Sequence, residues 1–178
     1  MKSQEVLADS YGRVIRYLRI SLTELCNFRC VYCTPAEGMP LTPSSHYLTR
    51  SEITRFVKVA GMLGIGRIRL TGGEPLLRKD LTDIVRALKE IPTVEDLSIT
   101  TNGSRLSKHL PGLKEAGLDR INISLDSLDP QRFKEITLAD EFRKVMRAIT
   151  EALHMGFPVK LNMVVLAGLT RAEIVDFV

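Results

Sequence analysis

Two periods of hydrophobicity alternate along this 178-residue chain. Short runs repeat every second residue, as strands do, and longer runs repeat every three to four, as helices do. Tyr17–Thr23 alternates apolar and polar and predicts the first strand. Thr49-x-x-Glu52 is a capping box opening a helix with Ile53, Phe56, Val57, Ala60 and Leu63 on its apolar face and Gly64 at its end. Further strands are predicted over Arg67–Thr71, Val94–Thr100, Asp119–Leu125 and Val159–Val165. Between them, Leu81, Ile84, Val85 and Leu88 mark one helix, and Leu106–Ala116 with Gly117 behind it marks another. Asp129-Pro130 starts a short helix with proline where its missing N–H costs nothing. Phe142, Val145, Ile149 and Leu153 define a longer helix closed by Gly156, and Thr170-x-x-Glu173 opens a last one that runs to Val178.

Strands alternating with helices imply an α/β fold with a parallel sheet. About five βα units curl toward a (β/α) barrel without reaching the eight that close one. The expectation is a partial barrel over 1–178, an incomplete single domain cut from a longer protein. Residues two apart in a strand share a face, and each predicted strand has one apolar and one polar face. The polar faces carry Arg19, Ser21 and Thr23; Arg69 and Thr71; Ser98, Thr100 and Asn102; Asn122, Ser124 and Asp126; Lys160 and Asn162. Ordinary barrels fill the lumen with branched apolar residues. Here the apolar faces must pack under the outer helices, leaving a polar lumen with two arginines and a lysine against one aspartate. Cations enclosed in that way need anionic partners. Phosphates suit the fork of arginine and the point charge of lysine. Without a ligand, the same residues would be exposed on an open sheet or paired with carboxylates.

The three cysteines lie within eight residues, in Cys26-Asn27-Phe28-Arg29-Cys30-Val31-Tyr32-Cys33. Three thiolates on one loop are an odd number for disulfides and one short for a closed zinc site. They can hold three irons of a 4Fe-4S cube and leave the fourth open, whereas electron-transfer clusters are closed by four cysteines. A zinc site completed by His46 or another distant ligand is the competing reading, although structural zinc prefers paired C-x2-C units. Directly after the second strand comes Thr71-Gly72-Gly73-Glu74-Pro75, where two glycines let the backbone approach a ligand closely. With 44% apolar and 26% charged residues the composition is that of a globular protein. No run approaches a membrane span of about 18 residues. Residues 1–10 lack the marks of a signal or transit peptide. The net charge of +4 comes without a basic run or aromatic stripe that would point to nucleic acid. Clustered thiols with no other cysteine predict a reducing cytoplasm.

The C-x3-C-x2-C loop, with an aromatic before its last cysteine and the Gly-Gly turn one βα unit later, resembles the radical S-adenosylmethionine (SAM) enzymes. The resemblance narrows to the GTP 3',8-cyclase family of molybdenum cofactor biosynthesis. It rests on Gly12-Arg13, Leu18-Arg19-Ile20-Ser21, the cysteine loop and Arg69-Leu70-Thr71-Gly72-Gly73-Glu74-Pro75-Leu76. Thr100-Thr101-Asn102-Gly103, Ile121-Asn122-Ile123-Ser124-Leu125-Asp126 and Lys160-Leu161-Asn162 extend it over almost the whole chain. It implies a radical SAM partial barrel and a lyase that converts GTP to 3',8-cyclo-7,8-dihydroGTP, with SAM cleaved to 5'-deoxyadenosine and methionine. In the family, SAM chelates the open iron, and one electron releases a 5'-deoxyadenosyl radical that takes the ribose 3' hydrogen. Carried over by motif, Cys26, Cys30 and Cys33 hold the 4Fe-4S cluster; Tyr32 (by its backbone), Gly73 and Ser124 contact SAM; and Arg19, Arg69, Thr100 and Lys160 contact GTP. An electron donor and a homodimer are implied as well.

Two departures stand out. The family's second cluster, on three C-terminal cysteines, and a later SAM-contacting methionine are not in this sequence. The 178-residue chain alone is therefore expected not to complete the reaction. Ile136-Thr137-Leu138-Ala139 places leucine where the family usually has glycine after the threonine. The alternatives are another radical SAM enzyme, acting on a peptide or tetrapyrrole, and a non-catalytic iron–sulfur or zinc module. Metal analysis after anaerobic reconstitution separates the last of these: about four irons per chain are expected from the three thiolates, and one zinc with no iron would sink both enzyme readings.

Overall fold

The computed structural model describes residues 6–33, 46–168 and 170–177. Five parallel strands form one sheet in the order β1-β2-β3-β4-β5. They are β1 (Tyr17–Ser21), β2 (Arg67–Thr71), β3 (Asp96–Thr101), β4 (Arg120–Ser124) and β5 (Val159–Asn162). The helices are α1 (Arg50–Met62), α2 (Leu81–Lys89), α3 (Leu106–Glu115), α4 (Pro130–Thr137) and α5 (Phe142–His154). Strand order follows chain order, so the sheet sweeps in one direction and remains open between β1 and β5.

The helix boundaries follow from local chemistry. At the start of α1 the Glu52 N–H donates to the Thr49 hydroxyl, and the Thr49 N–H donates to the Glu52 carboxylate at 2.7 Å. This satisfies two of the donors that a helix start leaves orphaned. At α4 the Asp129 carboxylate accepts from the Arg132 N–H at 2.7 Å, and Pro130 takes the first turn. The apolar strand faces (Ile68, Leu70, Leu97, Ile99, Ile121 and Ile123) are fully buried under the helices. Ile53 and Val57 of α1, Ile84 and Leu88 of α2, Leu110 and Leu113 of α3, and Val145 of α5 cover them. Burial of one such side chain is worth about 1.5–3 kcal/mol. The polar faces lie on the other side of the sheet, as the alternation predicts.

Several expectations are corrected. Phe56 and Leu153 point outward and are more than half exposed. The buried stripe of α1 narrows to Ile53, Val57 and Ala60, and that of α5 is Val145, Ala148, Ile149 and Ala152. Strand β1 ends at Ser21, short of Thr23, and β5 ends at Asn162, short of Val165. As an edge strand β5 keeps Leu161 37% exposed. The capped helix after Thr170 is absent among the described residues, and the segment forms short 3-10 turns over Arg171–Glu173 and Val175–Phe177. Both ends of the expected capping box are committed elsewhere. The Thr170 hydroxyl accepts from the Leu166 N–H, and the Glu173 carboxylate takes the Ser127 hydroxyl, the Leu128 N–H and Arg132. Val178 lies outside the described residues.

Leu138, in the glycine position noted above, ends α4 with φ +53° and ψ +31°, the left-handed region that costs a side-chain-bearing residue about 1–2 kcal/mol. Its side chain is 63% exposed and gains little burial in return. Leu138→Gly is expected to stabilise the fold by about 0.5–1 kcal/mol once the greater freedom of the unfolded glycine is deducted. A urea midpoint that fails to rise would contradict this.

Candidate functional site

The cysteine loop leaves the C-terminal end of β1 and is held at three points. Phe28 plunges into the core and meets Phe133 of α4 edge-on, ring centroids 6.0 Å apart. The Arg29 and Val31 N–H groups donate to the Thr137 and Ile136 carbonyls at the end of α4. Asn27 bridges to the loop after β3, donating to the Ser104 hydroxyl and accepting from the Asn102 amide. Cys26 and Cys33 are exposed and Cys30 is half-buried. Burial first, then the charge of Asp126 and the two neighbouring thiols, pushes the Cys30 thiol up to about 11. Burial also raises Cys26, with Cys33 among the nearby charges that add to it. Tyr32 turns its hydroxyl onto the buried carboxylate of Asp126 at 2.7 Å, and burial together with that bond raises its pKa.

The turn after β2 locks against this loop. The Gly73 and Glu74 N–H groups donate to the Thr23 and Leu25 carbonyls, both at 2.7 Å. Gly72 has φ +143°, and a Cβ on it would lie 2.5 Å from the Thr23 oxygen. A Cβ on Gly73 would lie 2.4 Å from the Leu25 oxygen. Both glycines are thus required by the close approach of the chain to itself. Behind them, Glu74 is fully buried. One carboxylate oxygen accepts from the Thr101 hydroxyl and the Leu76 N–H, and the other from the Asn102 N–H at 2.7 Å. Burial pushes its pKa up against the pull of these donors.

The polar face is ordered in layers by the strand register. Arg19, Arg69, Ser98 and Arg120 face one another across β1 to β4. Thr100, Asn122 and Lys160 form the next layer toward the thiols, and Ser124 opposite Asn162 the one beyond. Arg120 is neutralised by Asp96 in a two-point pair, an ion pair the sequence reading did not include in the lumen. Arg69 lies over the Tyr17 ring at 5.2 Å and donates to the Ser98 hydroxyl at 3.3 Å. Asp126, expected as the lumen's counter-charge, is turned away onto Tyr32 and the Val164 N–H. Among the described residues, Arg19, Arg69 and Lys160 have no carboxylate within ion-pair distance. Two like charges on adjacent strands without such a partner oppose folding. Their positive charge is left without a counter-charge among the described residues.

No three His, Cys, Asp or Glu side chains among the described residues stand as a finished metal cage, and His46 does not complete one. The donor set nonetheless fits an iron–sulfur group, with three soft thiols on one turn, close enough that the charge of neighbouring thiols adds to the raised pKa of Cys26 and Cys30. The family model for the radical SAM superfamily matches residues 20–178. The chain belongs to the radical SAM superfamily. Over 174 residues it is 50% identical to a GTP 3',8-cyclase of Listeria monocytogenes, covering 97% of this chain and 52% of the relative. It is 50% identical over 172 residues to human molybdenum cofactor biosynthesis protein 1, covering 96% of this chain and 27% of that one. The chain thus spans about half the length of the cyclases it matches. Among solved structures, SuiB of Streptococcus suis superposes with a TM-score of 0.71 at 21% identity, over 91% of this chain and 36% of that one, which shows the shared fold. Members of the superfamily use a 4Fe-4S cluster and SAM, and no helix of the described residues is long and apolar enough to cross a membrane.

Of the ten candidate residues, Arg19, Arg69, Thr100, Ser124 and Lys160 lie on this side of the sheet, Cys26, Cys30, Tyr32 and Cys33 in the cysteine loop, and Gly73 in the turn after β2. Glu74 was read only as part of the glycine turn, because a carboxylate's burial and its three donors have no sequence periodicity. Glu74→Gln keeps the shape but turns one acceptor oxygen into a donor facing another donor. It is expected to cost about 1–3 kcal/mol of stability. A urea unfolding curve unchanged from the parent would contradict the clamp.

Proposed function

We propose that this chain is the radical SAM part of a GTP 3',8-cyclase, acting in the first step of molybdenum cofactor biosynthesis. The observation that carries the proposal is the pair Arg19 and Arg69, side by side across β1 and β2 without a carboxylate, on the sheet face that leads to the thiols. A triphosphate supplies the charge they lack, and Lys160 adds a third cation from β5. Thr100 lies one layer closer to the thiols and would meet the ribose or base rather than the phosphates.

Cys26, Cys30 and Cys33 would hold the cluster, leaving one iron for SAM. When bound, cluster and SAM supply one electron and a radical that abstracts hydrogen. Gly73 offers SAM backbone groups from a turn fixed by Glu74. The Tyr32 backbone lies in the same loop, and Ser124 presents a hydroxyl from the β4 end. The chain's own work is therefore to bind and orient. The arginines fix the triphosphate on the part of the polar face farther from the thiols, so the ribose comes to lie toward the cysteine loop, while the apolar faces and outer helices close off the back of the sheet. The part of the full protein beyond this chain is proposed to bring the second cluster. A reducing cytoplasm, a low-potential electron donor and a homodimeric assembly belong to the same proposal.

The test is equilibrium binding of GTP to the full protein with its cluster reconstituted. Arg69→Ala is expected to weaken binding by about tenfold or more, since bonds to a charged group are worth about 1.5–3 kcal/mol. No affinity for GTP, or an affinity that Arg69→Ala leaves unchanged, would turn the reading toward a radical SAM enzyme with another substrate.

A further inference from the structure

In the middle layer of the lumen two polar atoms are buried and have no partner: Asn122 Oδ1 and Thr100 Oγ1. They belong to residues directly opposite each other on β4 and β3. Asn122 is only 1% exposed. Its amide orientation is set by the strand beside it, because Nδ2 donates to the Ile99 carbonyl at 3.2 Å. A flipped amide would press Oδ1 against that carbonyl oxygen. Oδ1 is thereby a pure acceptor held in place by the sheet. The Thr100 hydroxyl can donate or accept, and it bonds neither to Asn122 nor to the backbone.

Buried polar atoms in folded proteins are nearly always partnered, and each exception calls for a reason. Neither atom serves the fold. Two other polar residues of the same face are occupied: Ser98 donates to the Ile68 carbonyl and accepts from Arg69, and Asp126 accepts from Tyr32 and Val164. The two unpartnered atoms also have a definite place in the lumen. They lie two strand residues, about 7 Å, from the arginine layer in the direction of the cysteine loop.

We infer that Asn122 and Thr100 together read a hydroxyl group of the substrate, and that Asn122 is a specificity-determining residue of this site. The group that fits must donate to Asn122 Oδ1, while Thr100 Oγ1 can donate to it or accept from it. A hydroxyl satisfies both atoms, whereas a phosphate oxygen offers no hydrogen to Oδ1. The inference rests on the GTP reading. With the triphosphate on Arg19 and Arg69, the groups one layer toward the thiols are the two hydroxyls of the ribose. A site that buries an acceptor for a substrate hydroxyl rejects the analogue lacking it, because the acceptor is then left unpaired.

The test compares GTP, 2'-deoxyGTP and 3'-deoxyGTP by equilibrium binding to the full protein with its cluster reconstituted and SAM present. One of the two deoxy analogues is expected to bind about 10- to 100-fold more weakly than GTP. In Asn122→Ala that difference should largely vanish: GTP weakens while the discriminated analogue hardly changes. A variant that merely loosened the sheet would weaken all three ligands alike. The comparison in the unmodified protein stands even where the variant folds poorly. If GTP binds and both deoxy analogues bind as tightly, the atoms are satisfied by water, and the inference falls while the GTP reading survives. If GTP itself does not bind, both fall together.

Discussion

Taking a carboxylate out of water is costly, and at Glu74 three donors from two segments offset that cost. The site depends on this buried group. It fixes the turn after β2 through the Leu76 N–H and the end of β3 through Thr101 and Asn102. Asn102 in turn grips Asn27 inside the cysteine loop, and the Gly73 and Glu74 N–H groups hold the backbone leading into that loop. Strand ends that would otherwise be independent loops become one rigid rim around the three thiols. The two glycines are part of the same constraint, since any side chain there would force the β2 turn off the segment it grips.

The sheet behind the rim is ordinary on one face and costly on the other. Its apolar face supplies the core, with branched side chains packed against α1 to α5. On its polar face, Arg120 is neutralised by Asp96, yet two arginines stand side by side without a carboxylate and two buried polar atoms lack partners. Proteins break packing and pairing rules where a ligand completes them. Here the departures share one face and are ordered along the strands: the paired arginines first, then the neutral acceptor and donor in the layer of Lys160, then the thiols at the rim. A ligand with an anionic tail and a hydroxyl-bearing middle matches that order, as a nucleoside triphosphate does.

Much of this was legible in the amino-acid sequence, for identifiable reasons. Strand positions such as Arg67–Thr71 were exact because period-two alternation is strong where one face is fully buried. The capping box at Thr49 held because its two bonds are local in sequence. The one at Thr170 did not, because Glu173 is drawn to Ser127 and Arg132 more than forty residues away. Phe56 and Leu153 misled because an apolar residue at helical spacing does not reveal how wide the buried stripe is. The lumen cations followed from alternation alone. What they pair with did not: that Asp96 takes Arg120 while Asp126 turns to Tyr32 is a matter of side-chain direction. Leu138 was flagged by its departure from the family pattern, and its left-handed backbone gives the physical basis for that preference.

The central claim is that the inner, polar face of the sheet is where the substrate's charge is met. Chemical protection mapping tests it directly. Arginines and lysines of the full protein would be modified with and without GTP, and each site quantified by mass spectrometry. The account predicts that GTP shields Arg19, Arg69 and Lys160 while leaving Arg50, Arg55 and Lys58 of the outer helix α1 as reactive as before. Protection that falls on the α1 cations, or none on the lumen three, would contradict it.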